Sequence, residues 1–123
     1  MPRPLLSHFA VVFAVSDVPA ACAFYKDYLG FEVTFSWEDP PSYAVLKRDN
    51  AVQIHLSQST QSPCGHVTYV YTHDVDALYA EFLSRDTPGL TAPRDQAYGM
   101  RDFDVEDPFG NRLSFGMGID RPA

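Results

Sequence analysis

Cysteine is scarce in this chain of 123 residues, with only Cys22 and Cys64. The two form neither a CxxC pair nor the closely spaced even set of a disulfide framework, so a cystine-stapled miniature and a thiolate metal module are excluded and two reduced thiols are expected. Long hydrophobic runs are missing too. The longest, Phe9 to Val15, is far short of the ~20 residues that span a bilayer. The N-terminus shows no charged segment leading into an apolar stretch and a small-residue cleavage site, so a cytoplasmic protein with no membrane partner is expected. Positive charge is the third shortage: nine Lys and Arg against 16 Asp and Glu leave a formal net charge of −7. Such a field repels phosphate backbones and draws cations, which argues against a nucleic-acid partner. GxSxG, HExxH, P-loop and GxGxxG signatures are all absent, and with them the usual signals of serine hydrolysis, zinc proteolysis and nucleotide binding.

Aromatic side chains are plentiful. Seven Tyr, nine Phe and one Trp in a chain that is 46% apolar supply more buriable surface than a disordered polymer carries. The length fits one domain over residues 1–123, because halves of about 60 residues are marginal as independent folds. Within it lies a repeat. Asp17-Val18-Pro19-Ala20-Ala21-Cys22-Ala23-Phe24-Tyr25 aligns with Asp74-Val75-Asp76-Ala77-Leu78-Tyr79-Ala80-Glu81-Phe82.

Each copy predicts a helix capped by its Asp, with apolar residues at i, i+3, i+4 and i+7. The stripes are Val18, Ala21, Cys22, Tyr25, stopped at Gly30, and Val75, Leu78, Tyr79, Phe82, stopped at Pro88-Gly89. A β-rich run precedes each helix, at residues 9–15 and 66–72, and three short strands follow each one. In the first half these are residues 31–37, 43–48 and 52–57; in the second, a weak 90–93, then 100–106 and 112–116 after the Asp107-Pro108-Phe109-Gly110-Asn111 turn. The fold class is therefore α+β: two βαβββ modules, over residues 5–60 and 64–118, forming a cleft-lined mixed sheet. One short helix covers only one face of its sheet, so the other face must enclose a cleft or meet another chain.

These residues resemble the vicinal oxygen chelate superfamily, which includes glyoxalase I, extradiol dioxygenases, fosfomycin-resistance enzymes and bleomycin-resistance proteins. The most specific segments are Ala23-Phe24-Tyr25-Lys26-Asp27-Tyr28-Leu29-Gly30-Phe31, the second helix, and Tyr98-Gly99-Met100-Arg101-Asp102-Phe103 running into the Asp107–Leu113 turn. One scaffold of this kind hosts many functions, so function has to come from the site.

Three histidines, His8, His55 and His66, lie on or beside three predicted strands, an arrangement that invites a metal. Strand parity opposes it. In the first strand Phe9, Phe13 and Val15 are expected under the helix, leaving His8, Ala10 and Val12 toward the cleft. In the fourth, Val52, Ile54 and Leu56 pack inward while Gln53, His55 and Ser57 face the cleft. The resemblance implies ligand positions at Ala10, His55, Val67 and Ser114, of which only His55 is a ligating type, against the three or four that catalytic zinc sites use. No metal and no cofactor are expected. His55 itself can be a ligand-contacting group or a satisfied core histidine. His8 and His66 are read as polar strand-edge residues and His73 as a solvated neighbour of the helix cap.

Asp102, Asp104 and Glu106 alternate along one strand face opposite Phe103 and Val105. They are either a solvated sheet edge that discourages aggregation or an acidic rim that draws a cation. Phe31, Val33, Phe35 and Trp37 share one parity and are expected to be mostly core, with Trp37 reaching the cleft mouth. In the bleomycin-sequestering relatives two aromatic side chains sandwich a flat heteroaromatic group, and the resemblance places those positions on Tyr43 and Tyr98. The expected function is accordingly non-catalytic binding of a planar aromatic antibiotic of bleomycin, mitomycin or quinoxaline-peptide type, for resistance or carriage, by a homodimer. The candidate ligand-binding residues are Tyr43, Tyr98, Trp37 and His55, with Val67, Tyr69, Asp102 and Ser114. The alternative is a metal-dependent glyoxalase-like lyase or dioxygenase with atypical ligands.

Overall fold

Asp17 and Asp74 cap their helices in the same way. Each holds an extended backbone, at φ −151° and −152°, and accepts a hydrogen bond from the amide three residues on, Ala20 at 3.1 Å and Ala77 at 3.0 Å. The repeat in the sequence is thus a repeat in geometry. The computed structural model describes residues 3–61, 63 and 65–119, so the thiol expected at Cys64 lies outside the described residues. Its elements are β1 (Val11–Val15), α1 (Val18–Leu29), β2 (Glu32–Trp37), β3 (Tyr43–Arg48), β4 (Val52–Gln58), β5 (Val67–Tyr71), α2 (Val75–Ser84), β6 (Arg94–Asp95), β7 (Met100–Glu106) and β8 (Arg112–Gly118). They form two four-stranded mixed sheets, ordered β1-β4-β3-β2 and β5-β8-β7-β6, each with one parallel pair, β1 with β4 and β5 with β8. The α+β class and the twofold βαβββ order are those expected.

Helix α1 ends at Gly30, which takes the left-handed conformation at φ 73° and donates its N–H to the Tyr25 carbonyl. Helix α2 does not run on to Pro88-Gly89. It stops at Ser84, where the Arg85 amide reaches back to the Glu81 and Phe82 carbonyls and Asp86 turns left-handed at φ 55°. The weak strand expected at residues 90–93 is reduced to a bridge from Leu90 to Val105, and the paired residues are Arg94 and Asp95.

Helix α1 packs on β2, β3 and β4, and α2 on β7 and β8. The face α1 buries is Val18, Ala21, Phe24, Tyr25 and Leu29; Cys22, expected in this stripe, is only half-buried because the bulkier Phe24 and Leu29 carry the stripe round the helix. In α2, Val75 and Phe82 are fully inside while Leu78 and Tyr79 pack at the margin. Phe13 and Val15 lie under α1 as expected, but Phe9 is 84% exposed. The parallel pairing of β1 begins at Val11 with Ile54, so residue 9 lies ahead of the paired strand.

A single cluster of buried side chains runs through both halves of the chain, and polar contacts lock them together. The Tyr25 hydroxyl on α1 donates to Asp107 Oδ2 at 2.7 Å, and Asn111 Nδ2 bonds both Asp107 Oδ2 and the Ala14 carbonyl of β1, each at 3.1 Å. Arg48 on β3 forms a fork with Glu81 on α2 at 2.7 and 2.8 Å and also holds the Leu29 carbonyl at the end of α1. Thr87 Oγ1 donates to the Tyr28 carbonyl and Arg85 to that of Asp27.

Tyr25→Phe leaves a buried carboxylate short of one donor and is expected to cost about 1.5–3 kcal/mol. Phe13→Ala opens a cavity under α1 and is expected to cost about 3–5 kcal/mol, both read from denaturant melts. The Glu81 carboxyl is held below its ordinary range, chiefly by the hydrogen bonds from Arg48, against the opposing effect of partial burial. A depressed folded-state pKa stabilises the fold above the unfolded value of about 4.3, and that stability is lost as pH falls through the folded value. Glu81→Gln is expected to flatten the acid limb of the stability curve, measured by urea melts between about pH 3 and pH 7.

Candidate functional site

One extra residue in β2 decides what the first sheet shows to its surroundings. The pairing of β2 with β3 steps from Val33 with Leu46 to Phe35 with Val45, so Thr34 is a bulge. Leu46 is fully buried under α1, and beyond the bulge the parity inverts. Phe35 therefore leaves the core expected for it and joins Trp37, expected at the cleft mouth, on the face away from the helix, where they are 51% and 61% exposed; of the same stripe Phe31, before the bulge, stays inside at 4%, while Val33 is 37% exposed.

That face also carries Val12, Tyr43, Val45 and His55, since His55 pairs with both Val45 and Val12 and Tyr43 pairs with Trp37. Tyr43 and His55 meet edge to face, with the hydroxyl 2.6 Å from His55 Nδ1. His55 is half-buried, and its ring nitrogen has the Tyr43 hydroxyl as a partner.

On the second sheet the uncovered face is built by β5, β8 and β7. Val67, Tyr69 and Tyr71 alternate along β5 at 56%, 38% and 76% exposure. Tyr69 pairs with Ser114, and Ser114 with Asp104, whose Oδ1 accepts the Ser114 hydroxyl at 2.6 Å. Strand β7 pairs with β6 at Arg101 and Asp102, so Asp102 does not stand on a solvated sheet edge, whereas Glu106 at the strand end is exposed. Asp102 is only 7% exposed and accepts three hydrogen bonds: from Tyr98 at 2.7 Å, Gln96 at 2.9 Å and Tyr69 at 3.0 Å. Burial pulls its pKa upward, but those donors and the nearby charge of Arg94 outweigh it and hold the carboxyl below its ordinary range. Tyr98 stands in the turn before β7, 66% exposed apart from its bonded hydroxyl.

The expected site residues thus divide between two surfaces. Tyr43, Trp37 and His55 share the open face of the first sheet; Val67, Tyr69, Asp102, Ser114 and Tyr98 belong to that of the second. Among the described residues no hydrogen bond or ring contact joins Tyr43 to Tyr98. A pocket of about 230 Å³ lies between the sheets near β4 and β5, lined by Phe9, Val11, Gln53, Ile54, Tyr69 and Tyr71 among others. His8 meets the Ser7 hydroxyl at 2.8 Å, His66 and His73 are exposed, and among the described residues no group of three or more His, Cys, Asp or Glu could hold a metal ion. Of the four ligand positions that the resemblance implies, Ala10, His55, Val67 and Ser114, only His55 carries a ligating imidazole. Sequence reasoning missed Tyr71, Gln96 and Gly116. The one available signal was Gly116 itself, since a glycine inside a strand marks a close approach.

A family model described as the Glyoxalase/Bleomycin resistance protein/Dioxygenase superfamily matches residues 5–115. The chain belongs to this superfamily. Among solved structures, a bleomycin-binding protein from Streptomyces verticillus complexed with copper(II)-bleomycin is 27% identical, with a TM-score of 0.70 over 95% of this chain and 100% of that one. A second bleomycin-binding protein, complexed with bleomycin, superimposes with a TM-score of 0.78 at 18% identity, over 92% of this chain and 99% of that chain. A glyoxalase-related enzyme from Clostridium phytofermentans reaches 0.79 at 16% identity, over 94% and 98%. These last two establish the shared fold alone. No curated protein matches the sequence. Among the described residues no helix is long and apolar enough to cross a membrane.

The bulge makes a test possible on either side of Thr34 in this superfamily member. Phe31→Ala is expected to cost about 3–5 kcal/mol of monomer stability, whereas Phe35→Ala, on the other side of the bulge, costs less than about 1 kcal/mol. Equal losses in urea melts would mean that the bulge does not invert the strand in solution.

Proposed function

We propose that the chain is a cytoplasmic, homodimeric binding protein that sequesters a planar aromatic natural product of bleomycin, mitomycin or quinoxaline-peptide type, for resistance or carriage. The observation that carries this reading is the pair of uncovered, aromatic-rich sheet faces, one bearing Tyr43 and Trp37 and the other Tyr69 and Tyr98. Flat rings stack on such side chains, and a residue set with one ligating type at the four metal positions suits binding better than Lewis-acid chemistry. The likeness to bleomycin-binding proteins supports the same reading.

Dimerisation is supported by apolar exposure. Val12 and Val67 are about half exposed on the open sheet faces, and Leu5, Leu6 and Phe9 ahead of β1 are 84% exposed or more. Exposed apolar side chains of this number favour a partner, and a second copy offers the same faces in reverse order. Sedimentation is expected to give a dimer; a monomer at high micromolar concentration counts against it.

Bleomycin is the first ligand to titrate, read by Trp37, the only tryptophan. Tyr43→Ala and Tyr98→Ala are each expected to weaken binding by about 1–3 kcal/mol with little loss of stability. Variants that bind normally but melt early would place these rings in the core. The net charge of −7 predicts that affinity for a cationic compound falls with salt, because the field is screened over ~10 Å at 0.1 M.

The second reading, a metal-dependent lyase or dioxygenase, draws on His55 at the open face beside Tyr43. Elemental analysis after dialysis against zinc, cobalt and manganese separates the two. Stoichiometric uptake that His55→Ala abolishes would replace sequestration with this chemistry.

A further inference from the structure

We infer that Asp102 is a positioning residue that pins Tyr69 and Tyr98 into one electron-rich platform for a planar cation, and that Gly116 supplies the gap it works across. The inference rests on reading the uncovered faces as a ligand site and narrows the class of ligand.

Asp102 is badly placed to meet a ligand itself. Its Oδ1 accepts from Gln96 and its Oδ2 from both tyrosines, so three of the roughly four acceptor directions of a carboxylate are taken. With 7% of the residue exposed, a cation has little access to what remains. The charge is instead handed to the two phenols.

Reaching it is demanding for Tyr69. Tyr69 is on β5 and Asp102 on β7, and β8 runs between them. The side chain crosses β8 at Gly116, where an added Cβ would sit 1.9 Å from the Tyr69 hydroxyl and 2.6 Å from the ring carbon bearing it. The glycine is needed for space: any other residue would push the ring off the sheet and break the bond to Asp102. Tyr98 arrives from the opposite side, and Tyr71 packs against Tyr69 with ring centroids 5.3 Å apart.

Two consequences follow for recognition. Both hydroxyls are spent on Asp102, so the ring faces are offered to a ligand and the hydroxyls are not. The Asp102 bond also raises the pKa of Tyr98, and burial, with the same carboxylate, raises that of Tyr69, so both stay protonated donors. A phenol donating to a carboxylate is polarised toward phenolate, which deepens the negative potential over its ring and strengthens its attraction for a cation. A planar cation stacked there gains on both counts; an anion of the same shape loses on the second.

The test uses N-methylacridinium as the planar cation and anthracene-9-carboxylate as an anion of similar area, titrated calorimetrically into the full chain, Asp102→Asn and Tyr98→Phe. Wild type is expected to prefer the cation, and each variant to lose about threefold to tenfold in cation affinity while the anion is unaffected or gains. A proton spectrum without ligand supplies an independent readout: the Tyr69 and Tyr98 hydroxyl protons are expected to be downfield and slow to exchange, and to lose both properties in Asp102→Asn. Matching melting curves exclude global unfolding. Cation binding that Asp102→Asn leaves intact overturns the inference alone. Wild type that binds neither probe overturns the platform together with the ligand-site reading, and unprotected hydroxyl protons in wild type overturn the positioning role.

Discussion

The Asp107 carboxylate is the contact on which the rest of the structure depends. It is 4% exposed, and each oxygen has two donors: the Phe109 and Asn111 amides on Oδ1, the Tyr25 hydroxyl and Asn111 Nδ2 on Oδ2. A buried charge is tolerable only when its hydrogen-bonding capacity is filled, and here it is filled from three places at once. The turn amides close the hairpin between β7 and β8, while Tyr25 ties that hairpin to α1. Asn111 then reaches on to the Ala14 carbonyl of β1, its own buried oxygen having no partner among the described residues. A turn of the second repeat is thereby joined to a helix and a strand of the first.

That junction fixes which surfaces remain open. Both helices lie within the shared core, with Arg48 bridging β3 to α2 and stacking over Phe82 at 5.9 Å, so the opposite faces of the two sheets are left uncovered. The two faces differ in chemistry. On the first, Val12, Phe35 and Trp37 present apolar and aromatic surface around one Tyr–His pair. On the second, tyrosine rings are backed by a desolvated carboxylate. A ligand matching both would be flat and apolar over one part and electron-poor over another, and its recognition would rest on ring faces more than on surface ion pairs.

Much of the fold was legible because it depends on local chemistry. The Asp N-caps, the Gly30 stop and the alternation in residues 43–48 and 100–106 act over a few residues, and those elements fall where the pattern puts them. The superfamily and the twofold βαβββ order follow from the same short-range signals. The site was less legible. Its polar members were recognised as candidates, but with roles the fold changed: Asp102, read as a sheet-edge or rim carboxylate, is a buried acceptor for three side chains.

By itself the sequence determined the helices, most strands, the repeat and the family, since capping, turn chemistry and periodicity are properties of adjacent residues. Only the tertiary structure decided the rest. A single bulge at Thr34 moved Phe35 from the core to the open face beside Trp37, and whether a strand bulges depends on the partner strand it must match. Tyr25 and Asp107, 82 residues apart, and Tyr69 with Asp102 across Gly116, become partners only when distant strands are set side by side. Periodicity reports which side chains share a face. Which groups those faces meet is set by the packing of the whole chain.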